Sequence, residues 1–255
     1  AMISARLAAA YIETAFNIPT YAKSIKEVKK MDLLLSALPP QIGPYSPHKD
    51  FVKRATQFAQ EIAQYKGHTA ELAINFGDSL VDMYRTRFQS IDIAMSVGGM
   101  HHFHMLQMAK TMKPILDIKK LYPKYIMIGT LGGNPLLQHQ EINTVVAKSI
   151  ECLNGLRTMW PAAKLIVYGL PPVVSLYATA HSLKFEASIY GWILKDNNSV
   201  FIPMFKSFAG KFNLYPKTYG TADGIHLTPV GMVMLDERFE KAKSAIPKSM
   251  VDYCE

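Results

Sequence analysis

Apolar positions along the chain follow two regimes. Up to about residue 65 they recur every three or four residues: Ile25, Val28, Met31 and Leu35 in one stretch, then Phe51, Ala55, Phe58, Ile62 and Tyr65 in a second. That spacing lines one side of a helix, and Lys23, Lys26, Lys29 and Lys30 take the other side of the first. The Pro-rich segment 38–47 must separate the two, because proline lacks the amide donor and pushes its predecessor out of helical geometry. Gly67 is the expected stop of the second helix. From Glu71 onward short apolar runs replace the helical stripe, at 72–76, 90–97, 125–130, 165–168 and 200–205. Each is too short for an independent helix and rich in Ile, Val, Met or aromatics, as buried parallel strands are. Helical stretches at about 101–121, 135–159, 175–195 and 229–245 lie between or after them. This alternation predicts a doubly wound α/β sheet with right-handed crossovers and a site at the C-terminal ends of the strands.

Composition narrows the picture. At 255 residues, with 49% hydrophobic and 19% charged residues, the chain can bury a sizeable core as one domain or one domain with an appendage. The formal charge of +8 raises the question of an anionic partner. The lysines are spread through helices without a basic-aromatic motif or a Gly-rich phosphate loop, so a solvated helical face explains them and nucleic acid is not expected. Cys152 and Cys254 are too few for a disulfide framework or a four-ligand zinc site. No run approaches the roughly 20 apolar residues of a spanning helix. The apolar run 7–12 closes at Glu13, below a signal-peptide core, and Ala1 reads as a remnant ahead of a native start at Met2. The expected residence is therefore cytoplasmic by default, with export by another route left open.

Two segments carry candidate catalytic chemistry. Gly77-Asp78-Ser79-Leu80 follows the first predicted strand, where a glycine-assisted turn can present a serine hydroxyl at the rim of the sheet. The competing reading is that Asp78 or Ser79 only caps the next helix. Near the other end stands Asp223-Gly224-Ile225-His226. A histidine can take a serine proton and return it to a leaving group, and a carboxylate can orient the imidazole. Gly224 allows a tight turn that puts Asp223 and His226 on one side. Pro229 at a helix N1 position, with Thr228 as cap, explains the end of this segment but not His226. Between the two lie Ser96-Val97-Gly98-Gly99 and Gly132-Gly133-Asn134-Pro135 at later strand ends. A backbone amide beside glycine or the Asn134 side chain could donate to an oxyanion; ordinary turn chemistry, with Asn134 as N-cap, is the alternative.

In order along the chain these four segments resemble the blocks of the GDSL, or SGNH, hydrolase superfamily. The resemblance runs from about residue 72 to about 239. It implies a flavodoxin-like three-layer α/β/α sandwich of about five parallel strands. Ser79 would be the nucleophile, His226 the base and Asp223 its orienting acid. Ser79 N–H, Gly99 N–H and the Asn134 side chain would form the oxyanion hole. Asp78, Met100, His101 and Pro135 are candidate pocket residues. The second block departs from the family pattern at Ala94, where Asn is usual, and at Met100, where a polar residue is usual; the third has Pro135 where Asp is common.

The implied activity is carboxylic ester hydrolysis through an acyl-enzyme on a small-molecule or glycan ester, acetyl or short-chain esters first, without cofactor or metal. A non-catalytic binder of carbohydrate or another partner on the same scaffold is the alternative. Residues 1–71 have no counterpart in the resemblance and are expected to form a helical extension, with the hydrolase domain at 72–255. That extension is where a partner for the charge is expected. His101, His102 and His104 invite a metal reading, but no nearby carboxylate pair or Cys completes a ligand set. The segment 171–199, with Pro171, Pro172, Tyr177, Phe185, Tyr190 and Trp192, is a candidate acyl-pocket wall.

Overall fold

The five apolar runs pair into one parallel sheet, β1 Ala73–Gly77, β2 Ile93–Ser96, β3 Tyr125–Ile128, β4 Lys164–Tyr168 and β5 Ser199–Ile202, in the order β2-β1-β3-β4-β5. The structure is a computed structural model and describes residues 48–67, 69–173, 175–208 and 219–251. The first expected helix, its lysines, the Pro-rich break and Cys254 lie outside the described residues.

Successive strand residues face opposite sides of a sheet, and here both sides are covered. Ile74, Phe76, Ile126, Ile128, Leu165 and Val167 join one core with α1 His48–Gln64, α3 His102–Ile118, α5 Ile142–Met159 and α6 Leu176–Ile193. Ala73, Met127, Ile166, Tyr168, Val200 and Ile202 join the other with α2 Ser79–Asp82, α7 Phe205–Phe208 and α8 Pro229–Ser244. Burial on both faces is why the strands read as continuous apolar runs. The alternation predicts the parallel α/β sheet seen here, and its three α/β/α layers are those that the family resemblance implies. Among the described residues no helix is long and apolar enough to cross a membrane.

Two local differences from the sequence reading have physical causes. The helix expected over 135–159 is two: α4 Gly133–Leu137 stops, His139 turns at φ 58°, and Glu141 caps α5 by accepting from Asn143 and Thr144 N–H. The strand expected from Ser90 begins at Ile93, because Ser90 is drawn aside by Asp236, which accepts from its backbone and hydroxyl. The stripe from Phe51 to Ile62 does form a helix, and its apolar side belongs to the same core as Ile74 and Phe76.

The chain leaves β1 for β2 on one side and reaches β3 on the other. This topological switch point is where ligands of doubly wound sheets bind, beyond the carboxyl ends of the strands. The segments after β1, β2 and β3 meet there.

Candidate active site

Ser79 is the first residue of α2, directly past the end of β1. Asp78 caps that helix, its Oδ1 accepting from Leu80 N–H at 3.0 Å. The capping alternative and the nucleophile position therefore coincide: Asp78 caps while Ser79 is presented. Gly77 is required here for space, since a Cβ on it would lie 2.7 Å from the Tyr168 hydroxyl and 2.9 Å from Asn75 Oδ1.

Ser79 Oγ lies 2.9 Å from His226 Nε2, and His226 Nδ1 lies 2.7 Å from Asp223 Oδ2. The two residues are 147 positions apart in sequence and are brought together by the fold. His226 sits in a closed local loop. Gly224 takes φ 68°, the left-handed conformation that lets the chain reverse. Asp223 Oδ1 then accepts from Ile225 N–H at 2.8 Å, His226 N–H at 3.0 Å and the Thr221 hydroxyl at 2.6 Å. Thr228 caps α8 by accepting from Gly231 N–H, with Pro229 at the helix start, as the sequence implied.

The two carboxylates of the site are shifted in opposite directions. For Asp223 what burial there is works upward, but the hydrogen bonds from His226, Thr221 and Ile225 outweigh it and hold the carboxyl well below the usual range. Asp78 is 4% exposed, and burial pushes its carboxyl up to about 6, against the opposing pull of hydrogen bonds from Thr130 and Leu80. Its Oδ2 accepts from the Thr130 hydroxyl and, at 3.4 Å, from Asn134 Nδ2.

Asn134 is not the cap of α4; Gly132 takes that position. The Asn134 amide instead points across the site and donates to Met100 O at 2.9 Å, joining the β3 segment to the β2 segment. Gly99 stands at φ 78° in the β2 loop. Four candidate segments are thus brought together by the sheet.

A cavity of about 30 Å³ opens beside Ser79, with Asp78, Thr130 and Asn134 on its polar side and Leu137, Leu170, Val173 and Ala178 among its apolar lining. Met100, His101 and Pro135, expected as pocket residues, do not line it. Met100 is fully buried in the core and contributes its carbonyl; Pro135 is buried inside α4; His101 lines a separate cavity between α3 and α5. Of the expected acyl-pocket wall, Pro171 is in place. Phe185 packs beside Gly132 in the core, Tyr177 donates to Gln140 O, and Tyr190 and Trp192 hydrogen-bond to Lys248 O and Asn154 Oδ1, outside the cavity lining.

His101 and His102 are buried, and desolvation pushes both down to about 4, so they are neutral near pH 7. His104 Nδ1 accepts from His101 N–H. Among the described residues no group of three His, Cys, Asp or Glu side chains is arranged to hold a metal ion.

Sequence reasoning missed Thr130, Asp82, Tyr84 and the buried polar set Asn75, Ser96 and Tyr168. Asn75 Oδ1 accepts from the Ser96 hydroxyl at 2.5 Å, and its Nδ2 donates to Met127 O at 3.1 Å and lies 3.4 Å from the Tyr168 hydroxyl. An Asn in the centre of an otherwise apolar strand was the available signal, since a buried amide needs partners.

No protein-family model and no curated protein matches the sequence. Solved structures do. A candidate platelet activating factor from Streptococcus pneumonia superposes with a TM-score of 0.60 at 15% identity, covering 88% of this chain and 100% of its own. A candidate acylhydrolase from Bacteroides fragilis gives 0.58 at 16% identity over 73% of this chain and 94% of its own. A GDSL-like lipase from Bacteroides thetaiotaomicron gives 0.57 at 16% identity over 76% and 97%. The fold is that of the GDSL/SGNH hydrolases.

Proposed function

We propose that the protein is a serine ester hydrolase of the SGNH type that cleaves acetyl or other short-chain carboxylic esters of small molecules or glycans. The observation that carries this reading is the unbroken line from Ser79 Oγ through the His226 ring to Asp223 Oδ2, at 2.9 and 2.7 Å. Each contact is within the reach a nucleophile and its base require.

In the proposed reaction Ser79 Oγ attacks the ester carbonyl while its proton passes to His226 Nε2. The carbonyl π pair moves onto oxygen, where Ser79 N–H, Gly99 N–H and the Asn134 amide stabilise it. Asn134 has a contact to exchange: its 3.4 Å approach to Asp78 is long, whereas its 2.9 Å bond to Met100 O is ordinary. The oxyanion collapses, the ester C–O bond breaks, and His226 returns the proton to the leaving oxygen. Water then attacks the acyl-Ser79 carbonyl, gives a proton to His226, and the acid departs as Ser79 recovers that proton. Asp223 keeps the tautomer with N–H at Nδ1 and stabilises the imidazolium; it is not protonated in the cycle.

The small cavity favours a short acyl group. About 30 Å³ accommodates two or three water-sized groups. The test is a p-nitrophenyl ester series from acetate to decanoate, beside acetylated polysaccharides, on the natural chain and on Ser79→Ala. The expected result is kcat/KM that falls beyond about four acyl carbons, and loss of hydrolysis in Ser79→Ala with stability changed by no more than about 1 kcal/mol. Preference for decanoate would overturn the short-chain reading; undiminished turnover by Ser79→Ala would overturn the serine mechanism.

A further inference from the structure

We infer that α1 is a working part of the hydrolase, because Arg54 acts through Asp82 to fix the Gly98–Gly99 loop against Ser79. This rests on the proposed function, in which Gly99 serves the oxyanion.

The loop after β2 is a tight turn. Val97 N–H donates to Gly77 O at 3.2 Å and Met100 N–H to Val97 O at 3.2 Å. Gly98 lies over the nucleophile: a Cβ on it would stand 3.8 Å from Ser79 Cβ and 3.8 Å from Asp82 Oδ2. Asp82 Oδ2 accepts from Gly98 N–H at 3.0 Å. Asp82 is on α2, three residues after Ser79, so a single carboxylate registers the β2 loop against the nucleophile's own helix.

A carboxylate held by one contact can rotate. Asp82 Oδ1 is taken by Arg54 Nη2, which leaves Oδ2 directed at Gly98. Arg54 is itself braced, since its Nη1 donates to Gln57 Oε1 at 3.0 Å and Gln57 Nε2 donates to Glu61 Oε1 at 3.0 Å. Glu61 receives both Arg85 amino groups, at 3.0 and 2.7 Å. One side of α1, from Phe51 to Ile62, is embedded in the core, while this polar row faces α2 and the turn that follows it. The Arg54 and Asp82 side chains are 26% and 17% exposed. Pairs this wet add little to global stability, so the contribution belongs to the position of the loop.

Arg54 is a positioning residue, and the test separates position from folding. Arg54→Ala, Asp82→Ala and Arg85→Ala are assayed for kcat and KM on the best ester, with thermal unfolding of each. Arg85→Ala removes the ion pair at the far end of the same row, three hydrogen-bonded steps from Arg54, and leaves the Arg54–Asp82 and Asp82–Gly98 contacts in place. Removing an oxyanion donor outright lowers kcat by about 100- to 1000-fold; a donor that is present but unanchored is expected to cost about tenfold. Arg54→Ala should therefore lose about tenfold in kcat with KM within twofold. Asp82→Ala should lose more, Arg85→Ala should stay within twofold, and guanidinium ion at sub-denaturing concentration should restore part of the Arg54→Ala loss. If Arg54→Ala folds poorly, Arg54→Lys, which retains a charge but not the braced fork, should still show a lower kcat at unchanged KM. Natural-level kcat in Arg54→Ala, or equal losses in Arg54→Ala and Arg85→Ala, would overturn the inference. A natural chain inactive on every ester would instead reject the proposed function.

Discussion

Asp78 and Asp223 are carboxylates of one site held in opposite ways. Asp78 is buried, and besides the local cap it makes to Leu80 N–H it takes partners from distant segments: Thr130 is 52 residues away and Asn134 is 56. Asp223 has a side chain 48% exposed, and its partners Thr221, Ile225 and His226 all lie within three residues. Burial raises one pKa while local hydrogen bonds lower the other. The surroundings of Ser79 are therefore a product of the whole sheet, whereas His226 and Asp223 form a preassembled loop that needs the fold only to bring it to Ser79. Opposed shifts of this kind suit different tasks: Asp223 stays ionised beside an imidazole, and Asp78 gathers the Thr130 hydroxyl and the Asn134 amide.

Breaking the local half should have the largest effect. His226→Ala is expected to lower kcat by about 10⁴-fold or more while the unfolding temperature barely moves, because the imidazole is partly exposed and outside the core. A loss under tenfold in ester kinetics would contradict its role as base. Asp223→Asn sharpens the comparison. It retains an oxygen for the backbone donors of the loop but turns an amide towards Nδ1, so kcat should fall by about 10²- to 10⁴-fold at unchanged secondary structure. Asp223→Ala, which also loses the loop acceptor, should add a fall in unfolding temperature.

The distant half predicts an effect on stability with the opposite sign. Asp78 has a folded pKa of about 6 against 3.8 for the ordinary group. The folded chain thus retains a proton that the unfolded chain releases, and stability from this group falls as pH rises from about 3.8 to about 6. Asp78→Asn should remove that dependence. Urea titrations should show it more stable than the natural chain at pH 7 by about 1–2 kcal/mol, because the neutral amide avoids the cost of a buried charge while weakening the hydrogen bonds made to it. Equal slopes of stability against pH for the two chains would show that Asp78 carries no such burial cost. The smallest effect is expected at the tie between the halves. Tyr84 Oη donates to Leu227 O at 3.2 Å, one residue past His226, and Tyr84→Phe should cost about 0.5–1.5 kcal/mol in unfolding free energy.

The same division explains what was legible in the amino-acid sequence. Asp223-Gly224-Ile225-His226 could be read because its hydrogen bonds close within a few residues. Five strands could be read because both faces of the sheet are buried. Asn134 was open to a capping interpretation, and only the crossing of β3 and β2 segments directs its amide to Met100 O. Thr130, Tyr168 and the Arg54–Asp82 pair were not legible, because a side-chain partner 28 to 93 residues away leaves no local pattern. The helical stripe of α1 was plain, yet nothing in its periodicity indicated that the polar side would meet α2. The apolar side of α1 belongs to the same core as Ile74 and Phe76.

The central claim is that Ser79 is a nucleophile activated by His226. Labelling with a fluorophosphonate, followed by intact mass and peptide mapping, tests it without knowledge of the natural ester. The account predicts one label per chain, on Ser79, formed at least 100-fold more slowly in His226→Ala. Absence of label on the folded natural chain, label on another residue, or equal rates with and without His226 would contradict it.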